Sequence, residues 1–345
     1  MKFKREEILA AFEAVASGLA TKKEEDSAKQ TQSLQFIDGY VQTFNDKVSV
    51  SYPLPAGWKY EGAVHASEIT KILRRMKTEM VDFKKIDGGL EMFDGHTTVV
   101  VKLEAKVIKY RDAVGNPPKW VPLPKDFWTA VEFASFCATN LLAFPIYTFV
   151  HVIGDEVEAA DDCRILIQRI SREVPEMFIP ASVVSFVAPQ GCIEAGRTQG
   201  WLHFRNKKNV AFSCRTATKE AKYPDLSKSI DVKGAKITLP KGLEAGIDKA
   251  LDIFDPKDVQ PYVEIAAANG KLELRAEGPY AKMTEAYTVP WKDKVRFCMH
   301  PTLLRDALGI MDSCTVSKDR IRMASKDKGF IHVVAMLIPE SAKVA

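Results

Sequence analysis

Apolar residues recur along this chain with two alternating periods, and the alternation predicts its elements. Ile8, Phe12, Val15 and Leu19 fall on one face of a helix, as do Phe127, Val131, Ala134 and Ala138, and again Leu243, Ile247, Ala250 and Phe254. After each helix the period drops to two, as in Tyr40-Val41-Gln42-Thr43-Phe44 and Lys271-Leu272-Glu273-Leu274, which predicts strands with one buried face. A second helix is expected at Val64-His65-Ala66-Ser67, Ile179-Pro180-Ala181-Ser182 and Met299-His300-Pro301-Thr302, where small, hydroxyl and proline residues suit a first turn. Hairpins at Asp87-Gly88, Gln199-Gly200 and Lys318-Asp319 close the three sets.

Glycine-bearing hairpin turns are predicted at Gly39, Gly154 and Gly270, which lie 115 and 116 residues apart. That spacing exceeds the roughly 20 to 50 residues of a solenoid repeat and matches a small domain. Three similar domains are therefore expected at 1–115, 125–232 and 236–345, joined by a proline-rich linker at 116–124 and a second near 231–236. Two helices cover one face of such strands, so the expected class is α+β, with helix pairs packed on antiparallel sheets.

Composition narrows the function. The 345 residues carry 46% hydrophobic and 27% charged side chains, as in a soluble globular protein of two or three domains. The charged start, Met1-Lys2-Phe3-Lys4-Arg5-Glu6, reads as the beginning of a helix and not as a leader. The apolar run 128–153 is broken by Glu132, Asn140, Pro145 and His151, so a buried helix entering a strand is expected there, with no membrane span. Six cysteines without a CxxC pair are expected to be reduced small hydrophobes of a cytoplasmic protein.

Candidate chemistry is sparse. Phosphate-loop, zinc-protease, nucleophile-elbow and dinucleotide motifs are absent, and the histidines have no motif partner. No catalytic residue, metal or cofactor is expected, and the chain reads as a non-enzyme. Glu158, Asp161 and Asp162 form the best acidic cluster; they read as a solvated turn, with a divalent-metal nuclease as the sharper alternative. Net charge is +4, compatible with a nucleic-acid partner without demanding one. The most directional basic element is a helix expected at 66–79: Ile69, Ile72, Leu73 and Met76 form its apolar face, while Lys71, Arg74 and Arg75 project opposite, with Lys77 at the border. Such a face can track phosphates without reading bases. Lys22, Lys23, Arg205, Lys207 and Lys208, expected in loops, add to the candidate DNA-contacting set.

The segment Lys222-Tyr223-Pro224-Asp225-Leu226-Ser227-Lys228-Ser229-Ile230 resembles the one that ends the middle domain of bacterial replicative sliding clamps, the β subunits of the replicase. Glu158-Ala159-Ala160-Asp161-Asp162-Cys163-Arg164-Ile165 is similar to that family's Ala-Thr-Asp-Gly-His-Arg-Leu strand turn, and Val334-Ala335-Met336-Leu337-Ile338-Pro339 to its C-terminal ending. The resemblance implies a head-to-tail homodimeric ring, helices lining a hole through which double-stranded DNA passes, and partners that include a DNA polymerase and a clamp loader. By position it implies a peptide pocket of Ile146, Ala160, Arg164, Ile165, Pro224, Lys228, Met336, Ile338 and Pro339. A subunit interface would set Ile253 and Phe254 against an edge strand at 97–102 that includes Val100. The sequence departs from the pattern at Asp162-Cys163, where the family has Gly-His, at Ser229, over the polar 24–35 and in the tail 340–345. Such drift is that of a divergent clamp, with a phage-encoded origin as one reading. The alternative function is a non-encircling clamp-fold hub in transcription or repair.

Overall fold

The computed structural model describes residues 1–20, 30–45, 47–107, 114–139, 143–218, 220–255, 261–308, 311, 313–325 and 329–336. Helix, strands, helix, strands recurs three times along it. The first set is β1 (Lys2–Lys4), α1 (Arg5–Ala14), β2 (Ser33–Ile37), β3 (Tyr40–Phe44), β4 (Val48–Pro53), β5 (Gly62–His65), α2 (Ala66–Arg75), β6 (Met80–Ile86), β7 (Gly89–Phe93) and β8 (Thr98–Lys102). The second is β9 (Val121–Pro122), α3 (Phe127–Ser135), β10 (Phe149–Ala160), β11 (Arg164–Pro180), α4 (Ala181–Val187), β12 (Cys192–Thr198), β13 (Trp201–Asn206) and β14 (Ala211–Arg215). The third is β15 (Ala235–Ile237), α5 (Leu243–Leu251), β16 (Val263–Ala268), β17 (Lys271–Glu277), β18 (Lys282–Thr288), β19 (Val295–Met299), α6 (Pro301–Leu308), β20 (Ser313–Val316), β21 (Arg320–Ala324) and β22 (Phe330–Ala335).

The expected α+β class holds: the ladders are antiparallel and the predicted helix faces are the buried ones. Ile8, Phe12 and Val15, Phe127, Val131 and Ala134, and Leu243, Ile247 and Ala250 are each at most 1% exposed. The chain divides into two compact units. The first comprises 1–132 and 176–221. It holds a four-stranded sheet in the order β1-β6-β7-β8 and an eight-stranded one in the order β5-β2-β3-β4-β14-β13-β12-β9. Trp58 centres an aromatic core there, its ring 5.4, 5.1 and 5.2 Å from those of Phe3, Phe36 and Phe83. The second unit comprises 133–175 and 222–345. Its sheets run β10-β11-β22-β21-β20-β15 and β18-β17-β16-β19, and its core gathers residues such as Leu243, Ile265, Leu274 and Met323.

Three local expectations change. Lys2–Lys4, read as the beginning of a helix, form strand β1 against β6, and the helix starts only at Arg5. Asp38-Gly39 and Asn269-Gly270 do form two-residue turns, both residues of each pair having positive φ (50° and 74°, 53° and 82°). Gly154 does not: its φ of 61° is a kink inside the single strand β10. The preceding Ile153 is β-branched and resists the left-handed region that such a turn demands of both residues, whereas Asp and Asn accept it. The reversal falls instead at 161–163. Helix α2 ends at Arg75, short of the expected 79, because Met76 turns extended (ψ 136°) and buries its side chain. Lys77 therefore lies beyond the helix.

Candidate peptide groove and basic surfaces

β11 and β22 pair so that Ile165 faces Val333 and Ile167 faces Ile331. Alternation puts Ile165, Ile167 and Arg169 on one face of β11, with Ile331, Val333 and Ala335 beside them on β22. Leu226 packs on this face with Ala160 and Ile167, joined by Tyr147, Ile165, Tyr223, Ile230 and Ile331. A single helical turn, Ser227–Ile230, follows it; Ser227 N–H donates to Asp225 Oδ1 at 3.0 Å, an Asx-turn that leads the chain into it. The Tyr223 ring stacks on His151 (centroids 4.9 Å, planes 22° apart) and meets Tyr147 edge-on at 6.0 Å. Its hydroxyl accepts the Ala160 N–H at 2.9 Å. His151 Nδ1 lies 2.7 Å from Glu158 Oε1, both largely buried. Burial first, and the Glu158 charge second, push the Tyr223 phenol above its ordinary range, so it stays a neutral hydrogen-bonding group.

The β10–β11 reversal is built by one carboxylate. Asp161 Oδ1 accepts from Cys163 N–H (2.8 Å) and Arg164 N–H (2.9 Å), and Oδ2 accepts from Arg164 Nε (2.8 Å). Asp162 and Cys163 are thereby held outward and exposed. Burial, then the charges of Asp161 and Asp162, raise the Cys163 thiol. Below this turn lies a cleft of about 200 Å³ lined by Asp161 to Ile165, Ser229, Asp319, Arg320, Val333 and Ala335. On the other side of the helical turn a cleft of about 520 Å³ is lined by residues including Ile153, Ile167, Tyr223, Leu226 and Ile331. Arg320 is paired with Asp319 at 2.8 Å and Arg169 with Glu156 at 3.4 Å. His332, buried in β22 with Nε2 3.7 Å from Cys137 Sγ, is pushed down to about 3 by burial and then by the Arg164 charge.

Of the pocket residues expected from sequence, Ala160, Arg164, Ile165 and Pro224 line these clefts or the cluster between them. Lys228 is exposed on the helical turn, and Ile146 is half-buried in the 3-10 turn Pro145–Thr148. Met336 packs on the core of the third set, its N–H donating to Asp319 O at 2.8 Å. Ile338 and Pro339 lie outside the described residues. The sequence reading missed His151, Ile331, Val333 and Arg320. The alternation across Ile165, Ile167, Ile331 and Val333 was the available signal for two of them; the pairing of those strands was not visible.

On the basic surface Lys71, Arg74 and Arg75 of α2 are exposed, opposite buried Ile69 and Leu73. Arg74 is shared: its Nε and Nη2 donate to Glu13 Oε1 of α1 at 3.0 and 2.8 Å. Lys71, Arg75 and Lys77 join no ion pair among the described residues. Lys207 and Lys208 are exposed in the β13–β14 turn, which Asn206 Oδ1 stabilises by accepting from Lys208 N–H and Val210 N–H. Arg205, expected in a loop, stands on β13. Its guanidinium lies 2.6 Å from Glu194 Oε2 and 4.3 Å from the Trp120 ring centroid, so it is held by the fold. Lys22 and Lys23 lie outside the described residues.

Val100 is 51% exposed on β8, an edge strand of the first unit. Ile253 and Phe254 follow α5, half-buried on the core of the second. The acidic cluster is not gathered for a metal: Glu158 faces His151 and Asp161 holds Arg164. No group of three or more His, Cys, Asp or Glu side chains among the described residues could hold a metal ion. Five cysteines are buried and Cys163 is exposed. Among the described residues no helix is long and apolar enough to cross a membrane.

No protein-family model matches the sequence, and no curated protein does. Solved structures do. The DNA polymerase III subunit beta of Pseudomonas aeruginosa superposes with a TM-score of 0.81 at 13% identity, covering 98% of this chain and 99% of that one. A putative DNA polymerase III beta subunit from Eubacterium rectale gives 0.81 at 12%, over 97% and 98%. The DNA polymerase sliding clamp of Bacillus subtilis gives 0.79 at 14%, over 98% of both. The chain has the fold of these sliding clamps over nearly its whole length, at a sequence identity of 12 to 14%.

Proposed function

We propose that this protein is a DNA sliding clamp, a non-enzymatic processivity factor that encircles duplex DNA and tethers a polymerase. The observation that carries this reading is the full-length likeness to clamps, at a TM-score of 0.81 with both chains covered almost entirely. A shared single domain would leave function open, whereas agreement across all three helix-strand sets supports reading the chain as a ring subunit. The division into domains at 1–115, 125–232 and 236–345 belongs to the same reading. Two copies join head to tail, with Val100 of the edge strand β8 against Ile253 and Phe254 of the next copy; β8 offers unpaired backbone groups that such a contact satisfies. The free cations of α2 and of the β13–β14 turn hold phosphates loosely, which suits sliding better than tight binding. The groove on β11 and β22 receives short segments of polymerase and clamp loader in the cytoplasm of a bacterium or an infected host.

Retention on DNA tests this. A loaded clamp remains on a nicked circle through gel filtration and runs off when the circle is cut once; equal retention on both forms refutes encirclement. The native mass, measured alongside, is expected at twice 38.4 kDa. A stable monomer at micromolar concentration would favour the non-encircling hub.

A further inference from the structure

We infer that the groove on the β11–β22 face selects a short extended segment that carries a lysine or arginine beside its apolar anchors. This deepens the reading of that face as a partner-peptide site and rests on it. Leu226 and Ile230 pack over Ile167, so the face is divided into two clefts, each with an apolar wall: Ile165 beside Val333 in the smaller, Ile331 beside Ile153 in the larger.

Charge decides what flanks the anchors. Six carboxylates line the two clefts, against three arginines. Each arginine already has a carboxylate: Arg164 has Asp161 at 2.8 Å, Arg320 has Asp319 at 2.8 Å and Arg169 has Glu156 at 3.4 Å. Glu158 is held by His151 at 2.7 Å. Asp162 remains, exposed at the mouth of the smaller cleft and in no ion pair among the described residues. Asp225 stays charged at the rim of the larger one, where the hydrogen bonds from Ser227 hold its carboxyl below the usual range, and Lys228 beside it offsets one charge. An acidic segment would meet Asp162 directly and would have to break an existing arginine pair to be neutralised. A basic residue finds Asp162 ready and disturbs nothing, so complementarity favours a cation.

The full-length protein is titrated with fluorescein-labelled hexapeptides Xaa-Leu-Ser-Leu-Phe-Xaa, in which Xaa is Lys, Gln or Glu, and anisotropy is read at 50 mM and at 1 M salt. Cys163, the exposed thiol beside Asp162, serves as a native reporter through its rate of alkylation by N-ethylmaleimide. The lysine peptide is expected to bind at least 10-fold tighter than the glutamate peptide at low salt, with glutamine between. The gap should shrink to about twofold at 1 M, where screening is short-ranged, and Asp162→Lys should reverse the order. Peptides that all bind and protect Cys163, but with glutamate equal to or tighter than lysine, overturn the charge preference and leave the groove standing. If none binds at millimolar concentration and Cys163 alkylates at an unchanged rate, the groove reading falls, and this inference with it.

Discussion

Replacing Lys71, Arg74 and Arg75 together by alanine should weaken DNA binding in a way that salt dependence can count. Each phosphate neutralised by a side chain steepens the plot of log K against log salt by about 0.9 for duplex DNA. Lys71 and Arg75 are exposed, and neither joins an ion pair among the described residues, so each should contribute its full share. Arg74 is held by Glu13, but with 57% and 44% of the two side chains exposed such a pair is worth only about 0.2 to 1 kcal/mol. A phosphate can recruit that arginine at a small cost. The triple variant should therefore flatten the slope by about 1.8 to 2.7, and Glu13→Ala, which frees Arg74, should raise affinity slightly. The assay is anisotropy of a labelled duplex between 50 and 200 mM salt, with circular dichroism melting as a fold control. Stability should change little, because the buried face of α2, with Ile69 and Leu73 fully covered, is untouched. An unchanged slope would mean that α2 is an ordinary solvated helix face and that DNA, if bound, lies elsewhere.

Two further outcomes follow from the buried groups. Burial pushes His203 down to about 4 and, with the Arg164 charge, His332 to about 3, against 6.5 when exposed. Above pH 6.5 both are neutral whether folded or not. Below it the unfolded chain takes up protons that the folded one refuses, so stability falls as pH drops from 6.5 toward 4. At about 1.4 kcal/mol per pH unit, His203 alone removes on the order of 3 kcal/mol by pH 4; urea midpoints across this range should be flatter in His203→Gln, and an identical decline would refute the assignment. Gly246→Ala drives a Cβ into Tyr287 Oη and puts it 2.9 Å from Leu274 Cδ2. Overpacking of about 1 to 3 kcal/mol outweighs the roughly 1 kcal/mol gained in helix propensity, so the melting temperature should fall, whereas a rise would show that α5 packs more loosely than described.

The helices were legible because their apolar faces are local: Phe127, Val131 and Ala134 announce a buried stripe whatever they pack against. Turn chemistry was legible where both turn residues favour the left-handed region, as at Asn269-Gly270, and misleading at Ile153-Gly154, where glycine alone suggested a reversal. The end of α2 depended on Met76 finding a core to enter, which no local pattern encodes. The groove was half legible. Resemblance placed Ile165 and alternation would have added Ile167, but their partners Val333 and Ile331 stand more than 160 residues away, and only strand register brings them together. His151 and Glu158 looked unrelated for a different reason: they are seven residues apart on β10, where strict alternation would put them on opposite faces, and the kink at Gly154 lies between them.

Which cations remain free is the more general lesson of Arg205. It sits directly opposite Glu194 in the β12–β13 ladder, and Arg275 sits opposite Glu264 in the β16–β17 ladder. Both are paired across the strands, at 2.6 and 3.1 Å, because side chains opposite each other lie roughly 5 Å apart. A basic residue on a strand is thus offered an acidic neighbour by register, which a sequence pattern does not display. Lys207 and Lys208 occupy a turn that has no opposing strand, and on the α2 face Glu13 of α1 meets Arg74 alone, leaving Lys71 and Arg75 without an ion pair among the described residues. Counting basic residues therefore overstates the surface available to phosphate. A chain of net charge +4 can still present a directional basic face, because cross-strand pairs such as Arg205–Glu194 and Arg275–Glu264 take up acids on the sheets and leave Lys71 and Arg75 of α2 and the lysines of the β13–β14 turn exposed.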